Sequence, residues 1–221
     1  MSFTAIAPPA ATDRATPART PAADVDNLAT YISFGLAYLL GHGSAALSRG
    51  ETPVLELPGW LPMTLLCAGL AAGTVQATRA ALRAQRATTD PHTLRTGQLL
   101  GALWITAFAA LFLAITGLST TLDNPDIQTL LWPTGSGFVV GLIYVAEGAT
   151  RRNTLHYTLG TWLALTSTAA LLLGDPGFYW VLTLAGGGAY ALATLLERRR
   201  RDPRRTHPLT TSTDEPAHPS R

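Results

Sequence analysis

The sequence contains no lysine and only one cysteine, and each scarcity excludes something. All 16 basic residues are arginine, and Cys67 lies inside an apolar stretch. A single cysteine cannot form a disulfide within the chain, so the described sequence offers no disulfide framework. A lone cysteine among apolar neighbours usually behaves as a small hydrophobic side chain, and we expect no redox or nucleophilic role for Cys67.

Charged residues of both signs are also scarce. They make up 14% of the chain, whereas 47% of the residues are hydrophobic. Soluble domains have roughly 25% charged residues, so a typical soluble domain is excluded. Most of the charge lies in the two tails and in short connections, and the apolar residues come in blocks. This pattern predicts a multi-pass protein of the plasma membrane, with the lipid bilayer as its main partner.

Signature motifs for catalysis and cofactor binding are missing as well. The sequence has no P-loop ending in GK[ST], no HExxH and no CxxC. The connections are too short for a soluble catalytic domain, so we predict no enzyme activity, no cofactor and no metal site. The arginines stand beside hydrophobic stretches, where they determine topology, so we expect no nucleic-acid partner.

Six apolar stretches remain, each about as long as the roughly 20 residues that a helix needs to cross a bilayer. We predict an all-α bundle of six transmembrane helices within residues 28–196. Prolines near the start of a helix cost no hydrogen bond, and we interpret Pro62 and Pro133 as marking helix starts. Residues 1–27 and 197–221 are predicted to be disordered cytoplasmic tails. The predicted spans are 28–47, 59–78, 97–118, 127–149, 154–173 and 177–196.

The distribution of arginine predicts the orientation of these helices. In chain order the five connections contain one, four, none, two and none, and six more follow the last span up to Arg205. Arginine is retained on the cytoplasmic side, so we predict that both termini are cytoplasmic. The arginines predicted to set topology and contact lipid are Arg79, Arg83, Arg86, Arg151, Arg152, Arg198, Arg199, Arg200 and Arg201.

Aromatic residues cluster near the predicted span ends. Amphipathic rings favour the two membrane interfaces, so we predict that these residues form two belts. The predicted outer belt contains Trp60, Trp132, Tyr179 and Trp180, and the predicted inner belt contains Tyr31, Tyr144 and Tyr157.

Glu147 is the only acidic residue inside a predicted span, which makes it a candidate functional residue. An ionisable group costs roughly 2.5 to 3.5 kcal/mol at the bilayer centre on insertion scales. Glu147 lies within one turn of the predicted inner boundary, and Arg151 follows at i+4. Two interpretations stay open: a structural ion pair with Arg151, or a role in coupling or proton relay.

His42 and Gln76 are the other polar candidates inside predicted spans. His42 lies between two glycines, which let another helix come close. A hydrogen bond to a neighbouring helix and a pH-sensing or ligand-binding role are both open. No second His, Cys or carboxylate stands three or four residues away, which argues against a metal site. Gln76 lies near the inner end of its span, where water and headgroups can satisfy its amide.

Two pairs of glycines are spaced four residues apart, Gly69 with Gly73 and Gly137 with Gly141. Such pairs let helices approach closely. We predict that they pack the bundle internally; an oligomer interface is the alternative.

Four stretches of the sequence resemble a known family. They are residues 34–43, 130–137, 144–153 and 184–189, with the sequences FGLAYLLGHG, LLWPTGSG, YVAEGATRRN and LAGGGA. Together they resemble an uncharacterised family of integral membrane proteins from GC-rich Gram-positive bacteria, some of which are labelled as ABC-transporter permeases. The resemblance covers about residues 28–199 and implies six spans, but it implies no catalytic residue.

Two functional hypotheses follow. The first is a non-enzymatic component of a membrane complex, a scaffold, sensor or regulatory subunit whose arginine-rich face binds another protein. The alternative is a permease-like subunit driven by a separate ATPase chain. Residues 1–27 are too rich in proline for the amphipathic helix that often precedes the first span of a permease. An ATPase that co-purified with the chain would favour the permease.

Overall fold

The computed structural model describes residues 25–201, and every regular element in that range is helical. The prediction of an all-α fold is confirmed. The predicted tails lie outside the described residues, except for 25–27 and 197–201. Two π-helical segments, Ala37–His42 and Leu182–Gly187, and a 3₁₀ turn, Leu171–Leu173, join some of the helices. The helices are α1 (Leu28–Leu36), α2 (Gly43–Ser48), α3 (Leu61–Arg86), α4 (Pro91–Thr121), α5 (Asp126–Arg151), α6 (Thr154–Ala170), α7 (Gly174–Val181) and α8 (Gly188–Arg200).

These elements form six helical rods. The backbone stays helical from α1 through the first π segment into α2, which makes one rod. The helix that begins at Thr154 breaks at Gly174, whose φ of +62° is accessible to glycine because it has no Cβ. The chain then folds back along α6. A hydrogen bond from the indole N–H of Trp162 to the Ala185 carbonyl, 3.0 Å long, joins the two segments. The rod of α7 and α8 therefore lies beside α6.

Four helices in the described range are long and apolar enough to cross a membrane. They are Leu61–Arg86, Pro91–Thr121, Asp126–Arg151 and Thr154–Arg200, the last of which includes the break at Gly174. Large apolar side chains point outward along them, as at Ile105, which is 76% exposed. Helices of this kind are typical of a membrane protein.

Contacts between distant parts of the chain define the two ends of the bundle. Arg201 donates a hydrogen bond to Asp26, and Tyr31 reaches His156, so these residues share one end, which we call the inner end. Arg49 and Asp175 lie 3.5 Å apart at the opposite end, which we call the outer end. The turn before α4 is short because α3 continues to Arg86.

The arginine-rich boundaries are more helical than the sequence analysis predicted. Arg79, Arg83 and Arg86 lie on α3, and α8 continues to Arg200. Arginine is a good helix former and interacts favourably with the C-terminal end of the helix dipole. Asp90 caps α4, and hydrogen bonds from the Thr93 hydroxyl and N–H lower the pKa of its carboxyl below the usual value.

Pro133 does not mark a helix start. Pro62 lies in the first turn of α3, as predicted, but α5 begins at Asp126 and Pro133 lies inside it. Proline has no N–H, so the Thr129 carbonyl loses its usual intrahelical partner. The helix continues because the proline removes only one intrahelical hydrogen bond, and the turns on either side keep theirs.

The core of the bundle is aromatic. Its centre is formed by Tyr31, Phe34, Tyr38, Tyr144 and Tyr190, all nearly or fully buried. The predicted interfacial belts are therefore wrong at Tyr31, Tyr144 and Tyr179, which face the core. Trp60 and Tyr157 remain exposed near the span ends. Sequence position alone does not separate the two environments, because both favour large rings.

Both glycine pairs pack the helices of the bundle against each other. A Cβ added at Gly69 would lie 2.5 Å from the Ala37 Cβ, and one at Gly141 would lie 2.5 Å from the Ala164 nitrogen. Such distances leave no room for a side chain. The prediction of internal packing is confirmed for these contacts.

Candidate functional site

Glu147 lies in the last turns of α5, and its carboxylate reaches two other helices. One oxygen accepts a hydrogen bond from the indole N–H of Trp104 on α4 at 2.9 Å. The other lies 3.3 Å from Nε2 of His156 on α6. The side chain is 20% exposed, so it is largely removed from solvent. A carboxylate held in this way needs its partners, because an unpaired buried charge is costly.

His156 connects this carboxylate to the first helix. The Asn153 side chain caps α6 by accepting from the His156 backbone N–H, which fixes the histidine in the first turn. The other ring nitrogen, Nδ1, lies 2.8 Å from the Tyr31 hydroxyl on α1. The two ring nitrogens therefore place His156 between the Glu147 carboxylate and the Tyr31 hydroxyl. We call Trp104, Glu147, His156 and Tyr31 the Glu147 network.

The Glu147 network differs from the ion pair that the i+4 spacing indicated. Among the described residues, Trp104 and His156 are the ones within hydrogen-bond or ion-pair distance of the carboxylate, and Arg151 interacts with it only at longer range. Arg151 lies in the last turn of α5, and its Nε atom is buried. The sequence analysis missed Trp104 and His156. The Asn153 cap three residues before His156 is a readable local signal, but the contact with Glu147 depends on helix packing.

A second charged cluster, at the inner end, joins the segment just before α1 to the end of α8. Glu197 is fully buried on α8, and Arg201 donates to its Oε1 at 2.9 Å. Arg201 also donates to Asp26, just before α1. This hydrogen bond lowers the pKa of the Asp26 carboxyl and raises the pKa of the Arg201 guanidinium. The sequence analysis placed Glu197 in the tail, because the arginines after it suggested that the helix had already ended.

A cavity of about 480 Å³ opens toward the outer end, and we call it the outer cavity. Its walls come from the first rod, α3, α5 and α7, with Phe108 of α4 at one side. The first π segment contributes Tyr38 and His42, and α5 contributes Thr129 and Pro133, the latter inside the helix. Local departures from α-helical geometry of this kind are frequent at functional sites.

His42 is the buried polar group of the outer cavity. It is 3% exposed, its ring meets Tyr38 edge to face at a centroid distance of 5.0 Å, and Tyr179 is 6.1 Å away. No hydrogen bond joins its ring to another residue in the range 25–201, so the predicted interhelical hydrogen bond has no partner there. The ring faces the cavity instead.

The remaining predicted residues lie outside the Glu147 network. Gln76 is partly buried on α3 and does not line the outer cavity. Cys67 also lies on α3, but it is exposed at the cavity wall rather than buried. Within residues 25–201, no group of three or more His, Cys, Asp or Glu side chains could hold a metal ion.

A continuous series of aromatic rings connects the two sites. From the outer cavity inward, the centroid distances are 5.0 Å from His42 to Tyr38 and 5.3 Å from Tyr38 to Tyr190. They continue at 6.4 Å from Tyr190 to Tyr144 and 4.0 Å from Tyr144 to His156. We call these five residues the ring chain. The rings fill the centre of the bundle, and the outer cavity ends on them.

Comparisons with known proteins add no relative. No protein-family model, no curated protein and no solved structure matches the chain. The family resemblance therefore stays a prediction, and function has to be argued from the chain's own geometry.

Proposed function

We propose that this protein is an integral membrane protein with six spans and both ends in the cytoplasm. It acts as a non-enzymatic sensor or regulatory component of a membrane complex. The six helical rods and their apolar outward side chains support the six spans. The arginines at the inner ends of α3, α5 and α8 support a cytoplasmic inner end.

The ring chain is the observation that carries the sensor function. Rings in van der Waals contact transmit displacement, because close-packed interiors shift between discrete arrangements rather than deforming smoothly. At its outer end the ring chain lines a cavity, and at its inner end it packs on the Glu147 network. That network joins α1, α4, α5 and α6 beside the arginine-rich surface. A change in the cavity can therefore alter how the inner helix ends meet a partner.

A permease-like subunit is the competing function, and the outer cavity weighs against it. The cavity ends on Tyr38 and Tyr190, and neither Glu147 nor His156 lines it. A transport pathway would need a second arrangement in which the ring chain separates. A substrate moved by the chain together with an ATPase would favour that function.

Membrane topology is tested by cysteine labelling. In a Cys67→Ala background, we expect Thr52→Cys to react with an impermeant maleimide added outside intact cells. Thr89→Cys should react only after the cells are opened. The reverse pattern would overturn the orientation, and a chain that remains in solution without detergent would overturn the membrane assignment.

Coupling between the two sites is tested by hydrogen exchange in lipid nanodiscs. Met63→Trp narrows the outer cavity, whereas Ile105→Trp makes the same kind of change on the outward face of α4. We expect only the first variant to change exchange within residues 147–157. When Tyr190→Leu, which interrupts the ring chain, is combined with Met63→Trp, the change in exchange within residues 147–157 should disappear. Equal exchange in all three folded variants would overturn the sensor function.

A further inference from the structure

The outer cavity is polar at one end and apolar at the other. Near its rim lie Arg49 and Gln128, and His42 lies below them on the first rod. Deeper residues are apolar or aromatic, and Phe34, Leu70 and Phe108 line the far part. A volume of about 480 Å³ falls within the range of small-molecule sites, roughly 300 to 1,000 Å³. This distribution matches a molecule with a polar head and an apolar body.

Arg49 is the one charged side chain among the described residues that line the outer cavity. It has five N–H donors, and the Asp175 carboxylate contacts it through Nη1 at 3.5 Å. Its guanidinium lies over the Tyr179 ring at 5.2 Å, which holds the group at the rim. Donors on its remaining edge can bind an anionic head group. The Asp175 carboxylate competes only modestly with an anionic head group for Arg49, because an exposed ion pair of this kind contributes little.

His42 provides a second donor below Arg49. An imidazole carries at least one N–H in either of its neutral forms. This ring is nearly buried, faces the cavity and has no hydrogen-bond partner within residues 25–201. Its ring nitrogens remain accessible from the cavity, so a ligand acceptor placed there can accept a hydrogen bond from the ring N–H. Thr129 and Pro133 line the facing wall, and the proline leaves the Thr129 carbonyl without its usual intrahelical partner.

The part of the cavity wall that α3 forms is also exposed on the outside of the bundle, since most residues of α3 are exposed. Met63 and Cys67 line the cavity and are both exposed, so this side gives access from the surrounding hydrocarbon. A ligand that reaches the cavity through this side has to be soluble in the membrane. An aqueous anion such as inorganic phosphate lacks the apolar body that the deep part of the cavity would bury.

We propose that the outer cavity binds a single-chain amphiphile with an anionic head, a fatty acid or a lipid of that kind. The head group contacts Arg49 and His42, and the chain extends past Leu70 toward Phe108. This inference deepens the proposed sensor function, since it names the ligand class. The proposed orientation matters to this inference only because it decides which leaflet of the membrane supplies the lipid.

The test uses the full chain in phosphatidylcholine nanodiscs with a palmitate that carries a photoactivatable diazirine. We expect crosslinks within residues 61–70 and 128–140, where α3 and α5 line the cavity. Unlabelled palmitate should block them at a concentration about tenfold lower than hexadecanol, because the alcohol lacks the charge-assisted hydrogen bonds. Inorganic phosphate alone should not block them.

Variants separate the two parts of the site. Arg49→Gln should remove the preference for palmitate over hexadecanol, while Arg95→Gln, outside the cavity, should preserve it. Met63→Trp should strongly reduce crosslinking, whereas Ile105→Trp should not. Each variant is scored only if it elutes as a single folded species, and Arg49→Gln changes an exposed side chain, where substitutions usually cost little stability.

Three outcomes would overturn the inference. Crosslinks spread over the outward face of α4 and insensitive to palmitate would indicate ordinary contact with the bilayer. Equal competition by hexadecanol would indicate a neutral lipid, and unchanged competition in Arg49→Gln would exclude the proposed head-group contact. Palmitate binding without any change in hydrogen exchange at residues 147–157 would sustain this inference and contradict the sensor function, so the two failures are distinguishable.

Discussion

The Tyr31 hydroxyl lies 2.8 Å from Nδ1 of His156, a hydrogen bond between residues 125 positions apart in the sequence. It joins the first helix to α6 inside an aromatic core, where Tyr31 is 0% exposed. Through His156 the first helix is also connected to Glu147 and Trp104. The inner ends of four helices therefore depend on a few buried polar atoms.

Tyr31→Phe removes the hydroxyl and keeps the ring. We expect this variant to lower the free energy of unfolding by about 1 kcal/mol or somewhat more, since Nδ1 of His156 loses its buried partner. Reversible unfolding in mixed micelles measures the difference. Tyr157→Phe, at an exposed tyrosine in the same helix turn as His156, is the control. Equal stability of the two variants would mean that the hydrogen bond contributes nothing.

Glu147→Leu removes the acceptor for Trp104 and the partner of His156. We expect destabilisation of about 2 to 3 kcal/mol, because two buried polar groups lose their partner at once. Glu147→Gln keeps an oxygen that can accept from the indole and should cost less. Fluorescence reports on the surroundings of all five tryptophans. The contribution of Trp104 is therefore obtained by subtracting the spectrum of Trp104→Phe from that of the unchanged protein. A Leu variant as stable as the Gln variant would contradict a structural role for the carboxylate.

Gly141→Ala places a Cβ against the backbone of α6, 2.5 Å from the Ala164 nitrogen. Neither backbone can move without separating the helices, so we expect a loss of about 1 to 3 kcal/mol. Gly101→Ala is the matched control, since a Cβ there meets nothing within 4 Å. In a helix interior that change should instead stabilise by roughly 0.5 to 1 kcal/mol. The same sign for both substitutions would refute the close contact of α5 with α6.

Acid should loosen the contact between Asp26 and Arg201 at the inner end. The hydrogen bond from Arg201 lowers the pKa of Asp26 in the folded protein, so the pair stabilises above the unfolded pKa of about 3.9. That contribution is lost as the pH falls through the folded pKa. Because both side chains are partly exposed, we expect less than about 1 kcal/mol. Unfolding at pH 7 and pH 3 should differ less in Asp26→Asn than in the wild-type protein, and an identical pH dependence would contradict the assignment.

Much of the helical architecture was readable from the order of residues. Blocks of apolar residues predicted helices, and the described residues are almost entirely helical, with four helices long and apolar enough to cross a membrane. The glycine pairs predicted close helix contacts, and Gly69 and Gly141 make them. Both features depend on local composition and short spacing, which the linear sequence contains in full.

The candidate sites were only partly readable. Glu147 and His42 stood out because each is a polar residue in an apolar stretch, which is a property of its sequence neighbours. The side chains that contact them did not stand out, because Trp104, which contacts Glu147, and Tyr179, which lies beside His42, resemble any other interfacial ring in sequence. Pro133 was misread although the predicted span, 127–149, already began six residues before it: the proline was taken as a start signal, but α5 begins at Asp126 and continues through it.

The amino-acid sequence by itself determined that this chain is helical, apolar and punctuated by arginine, because secondary structure and hydrophobicity depend on adjacent residues. Only the tertiary structure decided that Tyr31 meets His156, that Glu197 is buried and that His42 faces a cavity. Those facts depend on which face of one helix packs against which face of another, and such contacts join residues more than a hundred positions apart. The energy of one buried hydrogen bond is small, but its geometry exists only after all the helices are in place.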